Sequence, residues 1–423
     1  MSQMTKKAFS LKWVIWGLTA MFYFYEFVLR VSPGVITSEL MSSFGITAST
    51  VGLLTSFYIY AYAPLQIPVG LMMDHLGVKK VLSLASIVCG SGALVFAVAK
   101  YFAIAGLGRI LIGAGSSVAF IAMVYVSSHW FDAKKRAFLI GIANSLAMLG
   151  AASGTGPLAV LIKDFGWRQS ISIFGFFGIF LGIVIYIIFK FDKKDEKIEK
   201  KTAKIERNIF ENLMQVISKK TSWINGIAAL CLYMTTTIFA GLWGTSFVRT
   251  SYGVSKEVAG FAMSMVFAGW LVGGPLMGLF SDFIGQRKFA IRIGVIGALI
   301  CLLPVIYFPF IHIYLVYILL FLVGVFSSAE LLSFSLAIEL NSFKAKATAA
   351  AFTNFVISLG DAIFQPLVGF LLDSNWDGAM SGGIRVYKVI DYQIALTCLP
   401  LTLIISFILI FFIKEKSSKK IST

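Results

Sequence analysis

The sequence predicts an all-α integral membrane protein, with twelve transmembrane helices arranged as two pseudo-symmetric bundles of six. Three observations predict it. The 423 residues are 58% hydrophobic and only 13% charged, with a mean hydropathy of +0.87. A soluble domain is about 45–50% apolar and about 25% charged, so one soluble core has no room for this much apolar surface. The apolar residues come in repeated runs of about 20, the length that crosses a bilayer as a helix, without the period-two alternation of a membrane barrel. Finally, Gly70-Leu-Met-Met-Asp74-His-Leu-Gly77-Val-Lys79-Lys80 returns 208 residues later as Gly278-Leu-Phe-Ser-Asp282-Phe-Ile-Gly285-Gln-Arg287-Lys288. An internal repeat at half-chain distance means two similar folding units.

Helices 1 to 12 are expected at 12–37, 48–73, 80–99, 103–130, 137–162, 169–190, 222–249, 257–281, 289–309, 312–339, 346–372 and 390–413. Lys6, Lys7 and Lys12 before helix 1 resemble the start of a signal peptide. The apolar run that follows is too long, carries Glu26 and Arg30, and lacks a small-residue cleavage site, so it reads as a retained helix. Lys134, Lys135, Arg136, Lys344 and Lys346 then fall on the cytoplasmic side, and the loop with Asp164 and Arg168 falls outside. This positive-inside bias predicts a multi-pass protein with both termini cytoplasmic, and the high Lys and Ile content hints at a bacterial source, hence its inner membrane. It also accounts for the net charge of +16 without a nucleic-acid partner, because the charge is spread over short loops.

Residues 1–190 read as one six-helix bundle and 222–423 as the other. The linker 191–221 is rich in Lys and Glu, from Lys193 to Lys220. Ile209, Phe210, Leu213, Val216 and Ile217 recur in it at helical spacing, which predicts an amphipathic helix on the cytoplasmic membrane surface. The outer loop Asp373 to Lys388 is expected to be mobile. Cys89, Cys231, Cys301 and Cys398 lie in apolar helices without metal-ligand spacing, so neither a disulfide framework nor a metal is expected. The repeat extends into the helices. Asn144, Gly150 and Pro157 match Asn354, Gly360 and Pro366 at offsets of 210, 210 and 209. Gly113 with Ser116-Ser117 matches Gly324 with Ser327-Ser328 at 211.

With these features the chain resembles the major facilitator superfamily of secondary transporters along nearly its whole length, in the manner of bacterial organic-anion, amino-acid and peptide carriers. The doubled loop resembles that family's most specific signature. Arg109-Ile-Leu-Ile-Gly113-Ala-Gly115 looks like its second motif. Gly150-Ala-Ala-Ser-Gly154-Thr-Gly156-Pro157 is similar to part of the third, without the trailing glycines. The resemblance implies alternating access around a midplane cavity lined by helices 1, 4, 7 and 10. It implies that the doubled loop gates the cytoplasmic side. Asp74 and Asp282 would hold a neighbouring helix end, and Lys79, Lys80, Arg287 and Lys288 would pair across that face or with anionic lipid. It also implies a coupling or packing role for Arg109.

Few ionisable residues lie within the helices, and each costs roughly 2.5–3.5 kcal/mol on insertion scales, so each calls for a reason. Glu26 and Arg30 stand four apart, and Thr19 and Tyr23 extend the same stripe. Arg30 offers a planar fork suited to an anion, with Tyr23 beside it, and Glu26 could carry a coupled proton. Asn354, Ser358, Asp361 and Gln365 form one polar face on helix 11. Asp361 there is expected as a second proton carrier, or else as the partner of an arginine or of a helix–helix hydrogen bond. Glu330 in helix 10 is a coupling or gating acid. Tyr58, Tyr62 and Gln66 on helix 2, and Thr237 and Trp243 on helix 7, would contact a small polar ligand or serve in packing.

The expected function is proton-coupled transport of a small carboxylate-bearing solute: an amino acid, a short peptide or an organic acid. The alternatives are a proton-driven drug or siderophore exporter and an organophosphate–phosphate antiporter. The organophosphate branch uses a second arginine in helix 7, where this chain reads Thr235-Thr236-Thr237. An enzyme is not expected. His75, His129 and His312 have no metal spacing, and the glycine clusters sit inside apolar helices, where they cannot form a phosphate loop. The expected partners are the substrate, protons and the bilayer; no cofactor is expected, and the chain should be a monomer.

Overall fold

The computed structural model describes residues 2–189, 209–342 and 345–413. Among these, eleven helices are long and apolar enough to cross a membrane. The number reaches twelve if the pair Thr37–Phe44 and Ala48–Gln66, bent by 106° at its break, counts as one span. Helix 2 itself is Ala48–Leu76. Large apolar side chains cover the outside of the bundle, as with Phe283, Phe310 and Phe176, because hydrocarbon rather than water is their solvent.

Several expected helices are interrupted. Helix 1 (Ser2–Val31) ends earlier than the apolar run, in a 3-10 turn Ser32–Val35. Pro33 there has no N–H to continue an α-helix. A further short helix, Thr37–Phe44, follows in the expected loop and closes on Gly45 at φ 63°. Helix 4 runs Phe102–Ser116 and resumes at Ala119–Trp130. Helix 10 runs Ile313–Ser327, tightens into a 3-10 turn Ser328–Glu330, and resumes as Leu331–Leu340. The two breaks share a cause. The Ser117 hydroxyl donates to the carbonyl of Ala114 at 2.7 Å, and that of Ser328 to Val325 at 2.7 Å. Such side-chain bonds to the preceding turn compete with the helical ladder.

The loop after helix 11 (Lys346–Asn375) is not a loose connection. Met380–Ser381 pairs antiparallel with Ile384–Arg385. Gly382 and Gly383, at φ 57° and 80°, supply the left-handed pair that a two-residue hairpin turn requires. In the linker, a nine-residue helix Ile209–Ile217 is present, with Val216 buried. The linker residues before it, Lys193 included, lie outside the described residues, as do the side chains of Lys6, Lys7, Asp74, Lys134 and Lys344.

Contacts group the chain into two units. One comprises Met1–Arg30, Phe57–Gly154 and Leu161–Glu206 in their described parts; its helix 3 (Val78–Val98) packs on helices 4 and 6. Glycines let its backbones touch. A Cβ at Gly113 would lie 2.1 Å from the carbonyl oxygen of Tyr58, and one at Gly150 would lie 2.2 Å from that of Phe24. The other unit comprises Val31–Ser56, Thr155–Val160 and Arg207–Thr423. Its helix 8 (Lys256–Ile284) and helix 10 meet in the same manner, with a Cβ at Gly324 falling 1.9 Å from the carbonyl oxygen of Val266. Small residues at such contacts are how membrane bundles pack closely.

Candidate functional site

The first unit gathers its charged groups around one tyrosine. Gly113 brings helix 4 against helix 2 at the Tyr58 backbone, and this fixes where the Tyr58 ring stands. Its hydroxyl donates to Glu26 Oε2 at 2.9 Å, and both residues are buried. The Arg30 guanidinium lies 5.8 Å from the Tyr58 ring centroid, and the Arg109 guanidinium lies 5.1 Å from it. Two cations on one ring and an anion on its hydroxyl form a desolvated cluster in which each charge has an electrostatic partner. Arg109 is buried and donates to the carbonyl of Leu29 at 3.1 Å, in the last turn of helix 1, where carbonyls lack helical partners.

Arg30 is only half-buried, whereas Glu26, Tyr58 and Arg109 are buried. Its guanidinium also lies 5.4 Å from the ring of Phe27 and 5.5 Å from that of Tyr62, and Tyr62 stacks on Tyr58 at 5.6 Å and 16°. Three aromatic rings thus surround the guanidinium. Gly150 brings helix 5 to helix 1, and there the Tyr23 hydroxyl donates to Asn144 Oδ1 at 3.2 Å. Thus Tyr23, Glu26, Arg30, Tyr62 and Arg109 share one neighbourhood. Tyr58 is its centre, and Asn144 is a member that the sequence marked only as part of the repeat.

In the second unit the groups around helix 7 are neutral. Helix 7 is α-helical over Lys220–Met234, π-helical over Thr235–Trp243, and α-helical again over Gly244–Tyr252. The Gly244 N–H bonds back to the carbonyl of Phe239. A π-turn of this kind is rare and marks functional sites more often than chance. Its signal in the sequence is three threonines followed by Gly241 and Gly244, residues that weaken an α-ladder. The Trp270 indole donates to Thr236 Oγ1 at 2.7 Å, and Thr235 and Ser327 share a hydrogen bond of 2.7 Å.

Trp243 is buried, and its indole donates to the backbone carbonyl of Gln365 at 3.2 Å. Thr237, Asn354 and Gln365 are half-buried, with the Thr237 hydroxyl 3.5 Å from the Tyr233 carbonyl. The Ser358 hydroxyl donates to the carbonyl of Asn354 at 2.9 Å. Asp361 is buried in the middle of helix 11, and Glu330 is buried at the break in helix 10. The structure brings the Trp243 indole to the Gln365 backbone.

At the doubled loop, Gly77 and Gly285 adopt φ 79° and 71°, so both copies turn on a left-handed glycine. Lys79 lies over the Tyr186 ring at 4.4 Å, and Lys80 is exposed. In the second copy Arg287 bonds Asp282 at 3.4 Å and Glu339 at 2.6 Å, and Lys288 donates to the carbonyl of Ile413. Glu339, at the end of helix 10, is an acid the sequence reading passed over. Its signal was an acidic residue two positions before Asn341, at a helix end that faces a basic loop.

The sequence model described as Major Facilitator Superfamily matches residues 15–364 and 225–423. The "Probable sulfoacetate transporter SauU" of Cupriavidus necator is 27% identical over 330 residues, 71% of this chain and 73% of that one. The hexuronate transporter of Escherichia coli K12 is 24% identical over 424 residues, covering 93% and 95%. A bacterial homologue of the human lysosomal transporter Spinster has a solved structure with TM-score 0.74 at 16% identity, covering 95% of each chain. That likeness carries the fold. The match along nearly the whole chain makes it a member of the Major Facilitator Superfamily, a multi-pass membrane transporter and not an enzyme.

Proposed function

We propose that this protein carries a small organic anion bearing a carboxylate across a bacterial inner membrane by alternating access, with a proton as coupling ion. The observation that carries this reading is Arg30: a half-buried guanidinium, braced by Phe27, Tyr58 and Tyr62 and joined through Tyr58 to the buried carboxylate of Glu26. An arginine in this setting binds an anion through charge-assisted, two-pronged hydrogen bonds. Glu26 takes or gives the proton. Its charge changes the balance around Tyr58, so anion binding at Arg30 and protonation at Glu26 act on one cluster.

Sulfoacetate and hexuronate, for which the two relatives are named, both carry a carboxylate, and this favours an organic acid over an amino acid or peptide. In this reading Tyr23, Tyr62 and Asn144 meet the rest of the solute, as do Thr237, Trp243, Asn354 and Gln365. Asp361 and Glu330 are further proton-carrying or gating acids. Asp74, Lys79, Lys80, Asp282, Arg287 and Lys288 gate the cytoplasmic face, with both termini on that side. The bundles 1–190 and 222–423 move about the linker 191–221, and one chain suffices.

Proteoliposomes under an imposed pH gradient test this. Uptake of sulfoacetate, glucuronate and galacturonate is measured beside uptake of alanine and a dipeptide, in the native chain and in Arg30→Gln. Saturable, gradient-driven uptake of a carboxylate that Arg30→Gln abolishes is the expected result. Uptake indifferent to Arg30→Gln overturns the anion site, and uptake indifferent to the gradient overturns proton coupling.

A further inference from the structure

Helix 2 begins at Ala48, and the first N–H groups of any helix need acceptors from elsewhere. The Thr47 hydroxyl is bonded to the hydroxyls of Ser49 at 3.0 Å and Thr50 at 3.4 Å. The acceptors come from the far end of the sequence. The Ser49 N–H donates to Asp373 Oδ2 at 2.8 Å, and the Ala48 N–H to the Tyr387 hydroxyl at 3.3 Å. Asp373 Oδ1 in turn accepts from the Tyr387 hydroxyl at 2.6 Å and from Arg385 at 3.1 Å. One carboxylate at the end of helix 11 therefore caps helix 2 and anchors the hairpin that carries Arg385 and Tyr387.

The approach is built into the backbone. A Cβ at Gly369, one turn before Asp373, would lie 2.3 Å from the carbonyl oxygen of Ala48, and one at Gly52 would lie 2.4 Å from that of Gln365. The carboxylate also faces the positive end of the helix 2 dipole. Burial, and then its bond to Asp373, push the Tyr387 phenol well above its ordinary range, so it stays a hydrogen-bond donor at neutral pH. The same segment of chain is tied down twice more in this unit. Glu39 pairs with Lys256, and the hydroxyls of Thr37 and Ser246 share a hydrogen bond of 2.6 Å.

We propose that Asp373, with Arg385 and Tyr387, is a latch that closes the outer end of the transporter by capping helix 2 in trans, and that the transport cycle includes its release. The proposal rests on the alternating-access reading above. A helix cap supplied by another helix suits this task. It is directional and strong while closed, and water replaces it on both sides once it opens.

The test is labelling of Ser246→Cys by a membrane-impermeant maleimide, in the full-length protein in nanodiscs. The chain without the introduced cysteine reports background from the four native cysteines. Asp373→Asn, Arg385→Gln and Tyr387→Phe are each combined with the reporter. The labelling rate should rise about tenfold in Asp373→Asn, which removes the negative charge that faces the helix 2 dipole and bonds Arg385, and less in the other two. The melting temperature should stay within a few degrees. Unchanged labelling in all three overturns the latch. If Asp373→Asn does not fold, Tyr387→Phe decides alone, since it removes a single oxygen. A native-chain labelling rate that no candidate anion alters counts against alternating access, and the variants' rates still judge the latch.

Discussion

The two units repeat one packing scheme with different chemistry. Gly113 meets the Tyr58 backbone in the first, and Gly324 meets the Val266 backbone in the second, at offsets of 211 and 208 residues. Gly150 presses on Phe24, and Gly360 presses on Met234, both at an offset of 210. Carrying the same offsets to the site pairs Glu26 with Thr236, Arg30 with Ala240, Tyr62 with Trp270, and Arg109 with Leu320. The acceptor positions match but the donors do not: Tyr58 donates to Glu26, while Thr236 is met by Trp270, the counterpart of Tyr62. The glycine contacts were kept in both units, while Glu26, Arg30 and Arg109 have uncharged residues at the matching positions. Framework and chemistry are therefore separable in this fold. The proposed anion site falls in the first unit, and the matching positions of the second offer hydroxyl and indole groups.

The separation can be broken or sharpened by substitution. The largest effect on transport is expected from Arg30→Gln. Losing a charge-assisted pair worth about 1.5–3 kcal/mol lowers uptake of the anion by about ten- to a hundredfold, measured as kcat/KM in proteoliposomes. A similar loss from Ala240→Arg alone would break the asymmetry argument, since that substitution restores the charge at the matching position. Next come Gly113→Ala and Gly324→Ala. Each puts a methyl group within about 2 Å of a backbone oxygen, and each is expected to cost about 1–3 kcal/mol by overpacking. Similar falls in melting temperature would sharpen the claim that the two contacts are equivalent. Tyr58→Phe keeps the ring between the arginines and removes only the bond to Glu26. It should lower transport about tenfold, change its pH profile and lower the melting temperature, since a buried carboxylate oxygen loses its partner at a cost of about 1–3 kcal/mol. Trp243→Phe, which loses a neutral bond to a carbonyl, should change affinity by no more than about fivefold. The smallest effect is expected at Asp377. Its bond to Lys388, at 2.5 Å, holds the Asp377 carboxyl below the usual range, but both groups are exposed. Asp377→Asn should leave the Ser246→Cys labelling rate and the melting temperature unchanged at physiological salt, whereas Asp373→Asn raises that rate.

Hydropathy made the membrane helices legible, because a bilayer demands long apolar runs wherever the chain crosses it. The repeat made their pairing legible as well. Interruptions were harder to read. Ser117 and Ser328 break helices 4 and 10 through hydroxyl bonds to the preceding turn, and the same residue type elsewhere in a helix leaves it intact. Thr235 to Trp243 winds as a π-helix, which propensity does not separate from an α-helix. At the site, Glu26 and Arg30 announced themselves as charges in an apolar run. Tyr58 did not, because its role depends on three charges from two other helices meeting its ring. Asp373 and Tyr387 were hidden for a similar reason. Their partners are the N–H groups of Ser49 and Ala48, and a backbone donor leaves no mark in sequence.

The contact between Gly113 and Tyr58, and its counterpart between Gly324 and Val266, has a mechanical consequence. Where a glycine Cα lies against a carbonyl oxygen, weak Cα–H···O bonds of about 0.5–1 kcal/mol join the helices with no side chain between them. Such a joint has no rotamers to rearrange and no methyl groups to interlock. Helices 2 and 4, and likewise 8 and 10, are thus coupled as stiff levers, and bending has to be taken up elsewhere along their length, at the serine breaks two turns or less beyond each glycine.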